Sequence, residues 1–193
     1  MRIGLLAALS ALLLAGTPAA ADSTTACRPT VSGDLRLHTL ESRTFGNSRT
    51  IRVLLPPGYD APENQSRRYP VLYLLDGQNL FDACLSDVSH HEWGVDETVY
   101  RLVAERKIPP LIVVGVDHAG KDRAHEYLPY KDFVGGPDMA EPAGRRFPEF
   151  LVNEVMPLVD GRYRTLTGQP NTGTRLRTTT SSIDKLNSGA RTL

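Results

Sequence analysis

The chain has no charge excess to put to use. Its 193 residues carry 22 lysines and arginines against 22 aspartates and glutamates, a formal net charge of zero. That balance excludes a basic nucleic-acid footprint and an acidic solvating tail. Cysteine is scarce as well: two are too few for a disulfide scaffold or, alone, for a structural zinc cluster. No apolar run spans a bilayer comfortably, and no His-Glu-x-x-His spacing occurs. What is present is ordinary. With 40% hydrophobic and 23% charged residues, the composition fits one globular domain and not a disordered chain.

The first residues stand apart from the rest. Arg2 supplies a positive start, Ile3 to Ala15 is nearly all apolar, and Ala19-Ala20-Ala21 places small residues just before Asp22. This is the pattern of a secretory signal peptide, residues 1–21, cleaved near Ala21. It predicts a secreted or periplasmic product with no membrane attachment after cleavage. A membrane anchor would need a longer run, and Pro18 follows this one at once. A lipoprotein would need a cysteine directly after the cleavage point, and Cys27 comes several residues later. In an oxidising compartment Cys27 and Cys84 can pair. Closing so long a loop is worth roughly 4 kcal/mol in the chain-entropy picture. Spacing does not supply the geometry, so two separate thiols remain the alternative.

Two kinds of strand pattern follow. Leu35 to Leu40 alternates loosely, and Thr50 to Leu55 sets Ile51, Val53 and Leu55 against polar Thr50 and Arg52, the period of a half-buried strand. Pro56-Pro57-Gly58 ends it. Val71 to Leu75 and Leu111 to Val116 are continuous apolar runs, as expected of parallel strands covered on both faces. Between them Val99, Leu102 and Val103 have helical spacing, with Asp96 as the expected N-cap and Lys107 and two prolines at the close. Strand, helix, strand predicts a βαβ unit with a parallel pair. Residues 117–144 read as a long functional loop. Phe147, Phe150, Leu151, Val155 and Leu158 mark a further helix of about four turns, with Pro148 near its start and Gly161 as its expected C-cap.

Four blocks, in order, resemble the putative esterase family, which includes enterochelin esterase-like and esterase D-like α/β-hydrolases. They are Thr50 to Tyr59 (TIRVLLPPGY), Tyr69 to Phe81 (YPVLYLLDGQNLF), Ile112 to Asp117 with Arg123, Glu126, Tyr127 and Pro129, and Asp160 to Thr165 with Asn171-Thr172-Gly173. The resemblance runs from about Arg36 to Gly173. It implies an α/β-hydrolase-like, doubly wound and mainly parallel sheet, with carboxylic-ester hydrolysis by a serine in a Gly-x-Ser-x-Gly elbow and a later acid and histidine. It implies a small-molecule ester as substrate, with no cofactor and no nucleic-acid partner. By the same resemblance Gly77 and Gln78 are the candidate oxyanion-hole donors. Asp117, Arg123, Glu126 and Tyr127 line or brace the substrate cleft, with Arg123 expected in a structural ion pair with a carboxylate.

The departure is as informative as the match. No Gly-x-Ser-x-Gly occurs anywhere in the chain. Where the family continues with an apolar strand and the elbow, this chain continues with Thr174-Arg175-Leu176-Arg177-Thr178-Thr179-Thr180. No catalytic residue of the triad is identifiable. The expected organisation is therefore a signal peptide (1–21), a partial hydrolase domain truncated before the elbow (22–173), and a disordered, out-of-family tail (174–193) of the kind a frameshift produces. The expected activity of this chain is nil. The alternatives are a non-catalytic carbohydrate- or siderophore-binding remnant and, further off, a metal-assisted hydrolase.

The remaining polar clusters read as bland. His90-His91-Glu92, and His118 with Asp117, Asp122, His125 and Glu126, lack a metal-ligand spacing and are better explained as solvated loop residues. Trp93, Tyr127, Tyr130 and Phe133 are better explained as packing than as a stacking platform for a sugar or aromatic acyl group. Asp76 is expected to anchor a loop. With no elbow strand beside it, the Val71–Leu75 strand should lie at a sheet edge, which predicts a destabilised, aggregation-prone product.

Overall fold

A computed structural model of the chain describes residues 27–88, 90–131, 141–168 and 172–175. The expected signal peptide 1–21, Phe133 and residues 176–193 lie outside the described residues.

Strands β1 (Leu35–Ser42) and β2 (Asn47–Leu54) form an antiparallel hairpin, with Leu35 opposite Leu54 and Ser42 opposite Asn47. Gly46, at φ 69°, closes the turn by donating its N–H to Ser42 O at 2.9 Å; a residue with a Cβ adopts that φ less readily. Strand β3 (Val71–Leu75) and β4 (Ile112–Val116) pair in parallel across helix α1 (Val95–Ala104), the expected βαβ unit. A fifth strand, β5 (Thr172–Arg175), adds in parallel to the other side of β3. The sheet order is β1-β2-β4-β3-β5.

The sheet belongs to the expected α/β class and is mixed, because β2 meets β4 antiparallel. Strand β3 is not at the edge, because β5 covers it from Val71 to Leu74. Backbone pairing asks for no apolar side chain, so Thr-Gly-Thr-Arg can serve where no strand pattern is visible. That strand runs two residues past the boundary drawn at Gly173.

Both faces of the sheet are covered. On one face Ile51, Val53, Val71, Tyr73, Ile112 and Val114 pack with Phe150, Leu151, Val155 and Val159. On the other Leu54 and Val113 pack with Leu80, Phe81 and Val99. The alternation of side chains along a strand produces this division. Strand β2 is covered more fully than its half-buried period suggests, since Arg49 and Arg52 are themselves buried.

The helices differ from expectation at their ends. Gly94 caps α1 in the left-handed region, φ 56°, and its O accepts from Thr98 N–H at 3.1 Å. Asp96 lies inside the first turn, and its carboxylate instead accepts the Ser32 N–H at 2.6 Å. The last helix is built of α3 (Phe147–Phe150), a π-helical turn (Leu151–Val155) and α4 (Met156–Arg162). Pro157 has no N–H and its ring crowds the preceding turn, so the widened π turn before it relieves a steric conflict. Gly161 is helical and not a cap; the chain leaves the helix at Tyr163, in extended conformation. Cys27 and Cys84 are joined, with Cα atoms 5.6 Å apart, which ties the first described residues to the loop after β3.

Candidate functional site

In open α/β sheets ligands bind beyond the carboxyl ends of the parallel strands. At that rim Asp76 follows β3 and Asp117 follows β4. Both carboxylates are held by arginine forks. Arg52 donates Nε and Nη2 to Asp117 at 2.7 and 2.8 Å. Arg123 donates the same pair of groups to Asp76 at 2.7 and 2.8 Å. This hydrogen bonding outweighs burial and raises the Arg123 pKa above its ordinary value. A third pair, Arg49 with Glu126, is almost fully buried, and Asn47 Nδ2 donates to the other Glu126 oxygen at 2.7 Å. Arg49 also donates to Asp117 O at 3.1 Å and lies over the Phe150 ring at 5.4 Å.

Arg123, Glu126 and Tyr127 share a short helix, α2 (Arg123–Tyr127), inside the segment read as loop. Five residues give too few periodic positions for a sequence signal. The Arg123 guanidinium stacks over the Tyr127 ring at 5.0 Å, and the Tyr127 hydroxyl accepts the Asp76 N–H at 3.4 Å. Burial pushes the Tyr127 phenol well above its usual pKa. The four cleft candidates thus meet at one rim, occupied with one another and with strand arginines.

The turn after β3 starts with Asp76 in the left-handed region, φ 56° and ψ 46°, and continues as the 3-10 turn Gly77–Asn79. Its internal bonds run from Asn79 N to Asp76 O and from Leu80 N to Gly77 O. The N–H groups of Gly77 and Gln78 therefore precede the turn's own ladder. Gly77 is required by close packing: a Cβ there would sit 2.7 Å from both Asp117 Oδ1 and Gly115 C. The approach that excludes a side chain is to β4.

Gln78 is fixed by its side chain. Its Oε1 accepts the His118 N–H at 3.3 Å and its Nε2 donates to Asp87 at 3.4 Å. His118 Nδ1 accepts the Gly120 N–H at 2.8 Å, which assigns the ring proton to Nε2, 2.7 Å from Asp87 Oδ2. Burial opposes ionisation of Asp87, but its hydrogen bonds with His118 and Asn79 prevail and hold the carboxyl below its ordinary range. With both ring nitrogens occupied, His118 has no lone pair for general-base work. Among the described residues no serine hydroxyl is hydrogen-bonded to a histidine ring; Ser86, the buried one of this loop, bonds to Asn79 and to His91 O.

Among the described residues no group of three or more His, Cys, Asp or Glu side chains could hold a metal ion. His90, His91, Glu92, Asp122 and His125 do not converge on one point. An open depression of about 340 Å³ lies elsewhere, lined by Arg43, Thr44, Arg146, Glu149, Asn153 and Glu154. Its buried carboxylate, Glu154, is already taken up by the Arg43 and Thr44 N–H groups and the Thr44 hydroxyl.

Sequence reasoning missed Arg49, Arg52, Asn47 and the His118–Asp87 pair. One signal was available: an arginine at an interior position of an apolar strand demands a buried acceptor.

Similarity to known proteins bears on this arrangement. A family model described as putative esterase matches residues 42–175. An IroE-like serine hydrolase from Shewanella oneidensis is similar at 27% identity and TM-score 0.55, covering 68% of this chain and 40% of that one. The BES protein from Bacillus cereus (19% identity, TM-score 0.55, 75% and 51% covered) shares the fold. So does the enterobactin esterase FES from Shigella flexneri (18%, TM-score 0.52, 77% and 31% covered). The chain spans about half or less of the length of these relatives.

Proposed function

The chain belongs to the putative esterase family, and from that premise we propose that it carries the carbonyl-binding part of a secreted carboxylic-ester hydrolase without the nucleophile. The observation that supports this most directly is the Gly77–Gln78 turn at the rim of β3, pinned between Asp117 and the Arg123 fork. In this reading the two N–H groups donate to a substrate carbonyl oxygen and stabilise negative charge there. The fixed ion pairs beneath keep the donors from reorganising. Attack on the carbonyl carbon needs a hydroxyl beside a base. The chain has no Gly-x-Ser-x-Gly, and its His118 ring is committed to Gly120 and Asp87. The product of this arrangement is binding without turnover, for a small ester or the acid it releases. Export rests on the apolar stretch from Ile3 to Ala15 and the alanines before Asp22.

Hydrolysis of p-nitrophenyl acetate by the purified chain tests the proposal. The expected rate is that of buffer, with no labelling by a fluorophosphonate probe. An enzyme-like rate traced by alanine substitution to one serine would overturn it.

A further inference from the structure

We propose that Arg123 is a positioning residue: its fork on Asp76 holds that residue in the left-handed region and thereby aims the Gly77 and Gln78 N–H groups. The inference rests on the carbonyl-binding reading of that turn. It assigns Arg123 a part that neither touches substrate nor merely fills the cleft.

The argument starts from the backbone. Asp76 has a positive φ, as only His90 and Arg106 do among the other described non-glycine residues. Side chains with a Cβ resist that region unless the surroundings over-determine it. Here they do. Both Asp76 carboxylate oxygens are filled by Arg123, and its N–H is directed at the Tyr127 hydroxyl. The Asp76 side chain is only 4% exposed, so water cannot take over the contact without rearrangement. Arg123 and Tyr127 come from the loop after β4, whereas Asp76 ends β3. The clamp therefore joins two loops through one dihedral pair. If Asp76 relaxed to a right-handed or extended backbone, the bond from Asn79 N–H to Asp76 O at 2.9 Å would break and Gly77 would swing off β4. The two N–H groups would then point elsewhere. Full occupation of both oxygens also leaves Asp76 no role as an acid or base.

The test uses the full, nitrogen-15-labelled chain and two readouts. One is the strong intraresidue HN–Hα NOE of Asp76 that marks a left-handed residue. The other is the shift of the Gly77 and Gln78 amides on titration with acetate. Arg123→Ala should abolish the NOE and weaken the acetate response about tenfold, the scale of one hydrogen bond's net contribution. Arg123→Lys should fail to restore either, because an ammonium cannot fill both oxygens in a fork. Free guanidinium should restore both to Arg123→Ala where ammonium does not. In the double variant R123A/D76G the acetate response should return, because glycine takes the left-handed region without a clamp. A purely structural loss would not be repaired by that second change. An unaltered Asp76 NOE in Arg123→Ala, or a double variant no better than the single one, overturns the proposal. If the wild-type amides ignore acetate, the carbonyl-binding reading fails separately, and the NOE still decides what Arg123 does.

Discussion

Glu126 is 2% exposed and accepts from Arg49 and from Asn47. A buried pair of this kind adds little net stability, but breaking one half leaves a charge in a dry site. Glu126→Gln should therefore destabilise the fold by about 3–5 kcal/mol, read from urea unfolding. An unchanged midpoint would mean that water reaches Arg49. Asp96 makes the opposite kind of statement. Burial pushes its carboxyl up to about 7, against the pull of the Ser32 N–H. An unfolded aspartate titrates near 3.9, so between about 4 and 7 the folded chain binds a proton that the unfolded chain has released. Stability should fall as pH rises through that window, and Asp96→Asn should flatten the slope. Glu97, where the hydrogen bond with Asp96 outweighs burial and keeps the carboxyl low, contributes with the other sign near its unfolded value. Thermal melts at several pH values read the difference between wild type and variant. At this scale the sequence reveals residue types but not pairings: Arg49 meets Glu126 across 77 positions, and nothing local announces it.

Among the elements, the βαβ unit was the most legible, because two unbroken apolar runs admit few other readings. Strand β5 was invisible for the converse reason: Thr172–Arg175 has no apolar period, and the open backbone of β3 recruits it. The polar segment before β1 carries no strand or helix pattern, yet from Cys27 on it is strapped down. Ser32 bonds to Asp96 and Glu97, Thr30 bonds to Asp82 and Ala83, and the Cys27–Cys84 disulfide closes the strap. The bridge encloses a long loop, with a sequence separation of 57. Reduction should lower stability by about 4 kcal/mol, visible as a lower melting temperature in dithiothreitol. The double Cys27→Ser, Cys84→Ser variant should melt at the reduced temperature whether or not dithiothreitol is present. A wild type indifferent to reductant would show that the non-covalent ties suffice.

For the whole molecule, the covered sheet and its rim were foreseeable from the four matching blocks. The plan of the rim was not, because its three arginines come from β2 and the short helix α2, and their carboxylates follow β3 and β4 or sit on α2, far apart in sequence. The described sheet ends on one side with β5, which pairs only with β3. An uncovered strand edge is a template for another chain. The purified protein should associate with rising concentration in sedimentation velocity. Gly173→Lys should reduce that association: a Cβ there meets only Leu72 Cδ1, at 3.6 Å, so the side chain fits and brings a charge to the edge. Equal association of the two proteins would place the contact elsewhere.

The register of β5 has a practical corollary. Because it runs parallel to β3 with Arg175 opposite Leu74, Arg175 arrives at the same rim as Asp76 and Asp117. A synthetic peptide joined by chemical ligation after Arg175 would begin its path beside the proposed donors. The chain is thereby a ready acceptor for semisynthesis, in which a grafted hydroxyl and base could be placed against an existing cradle.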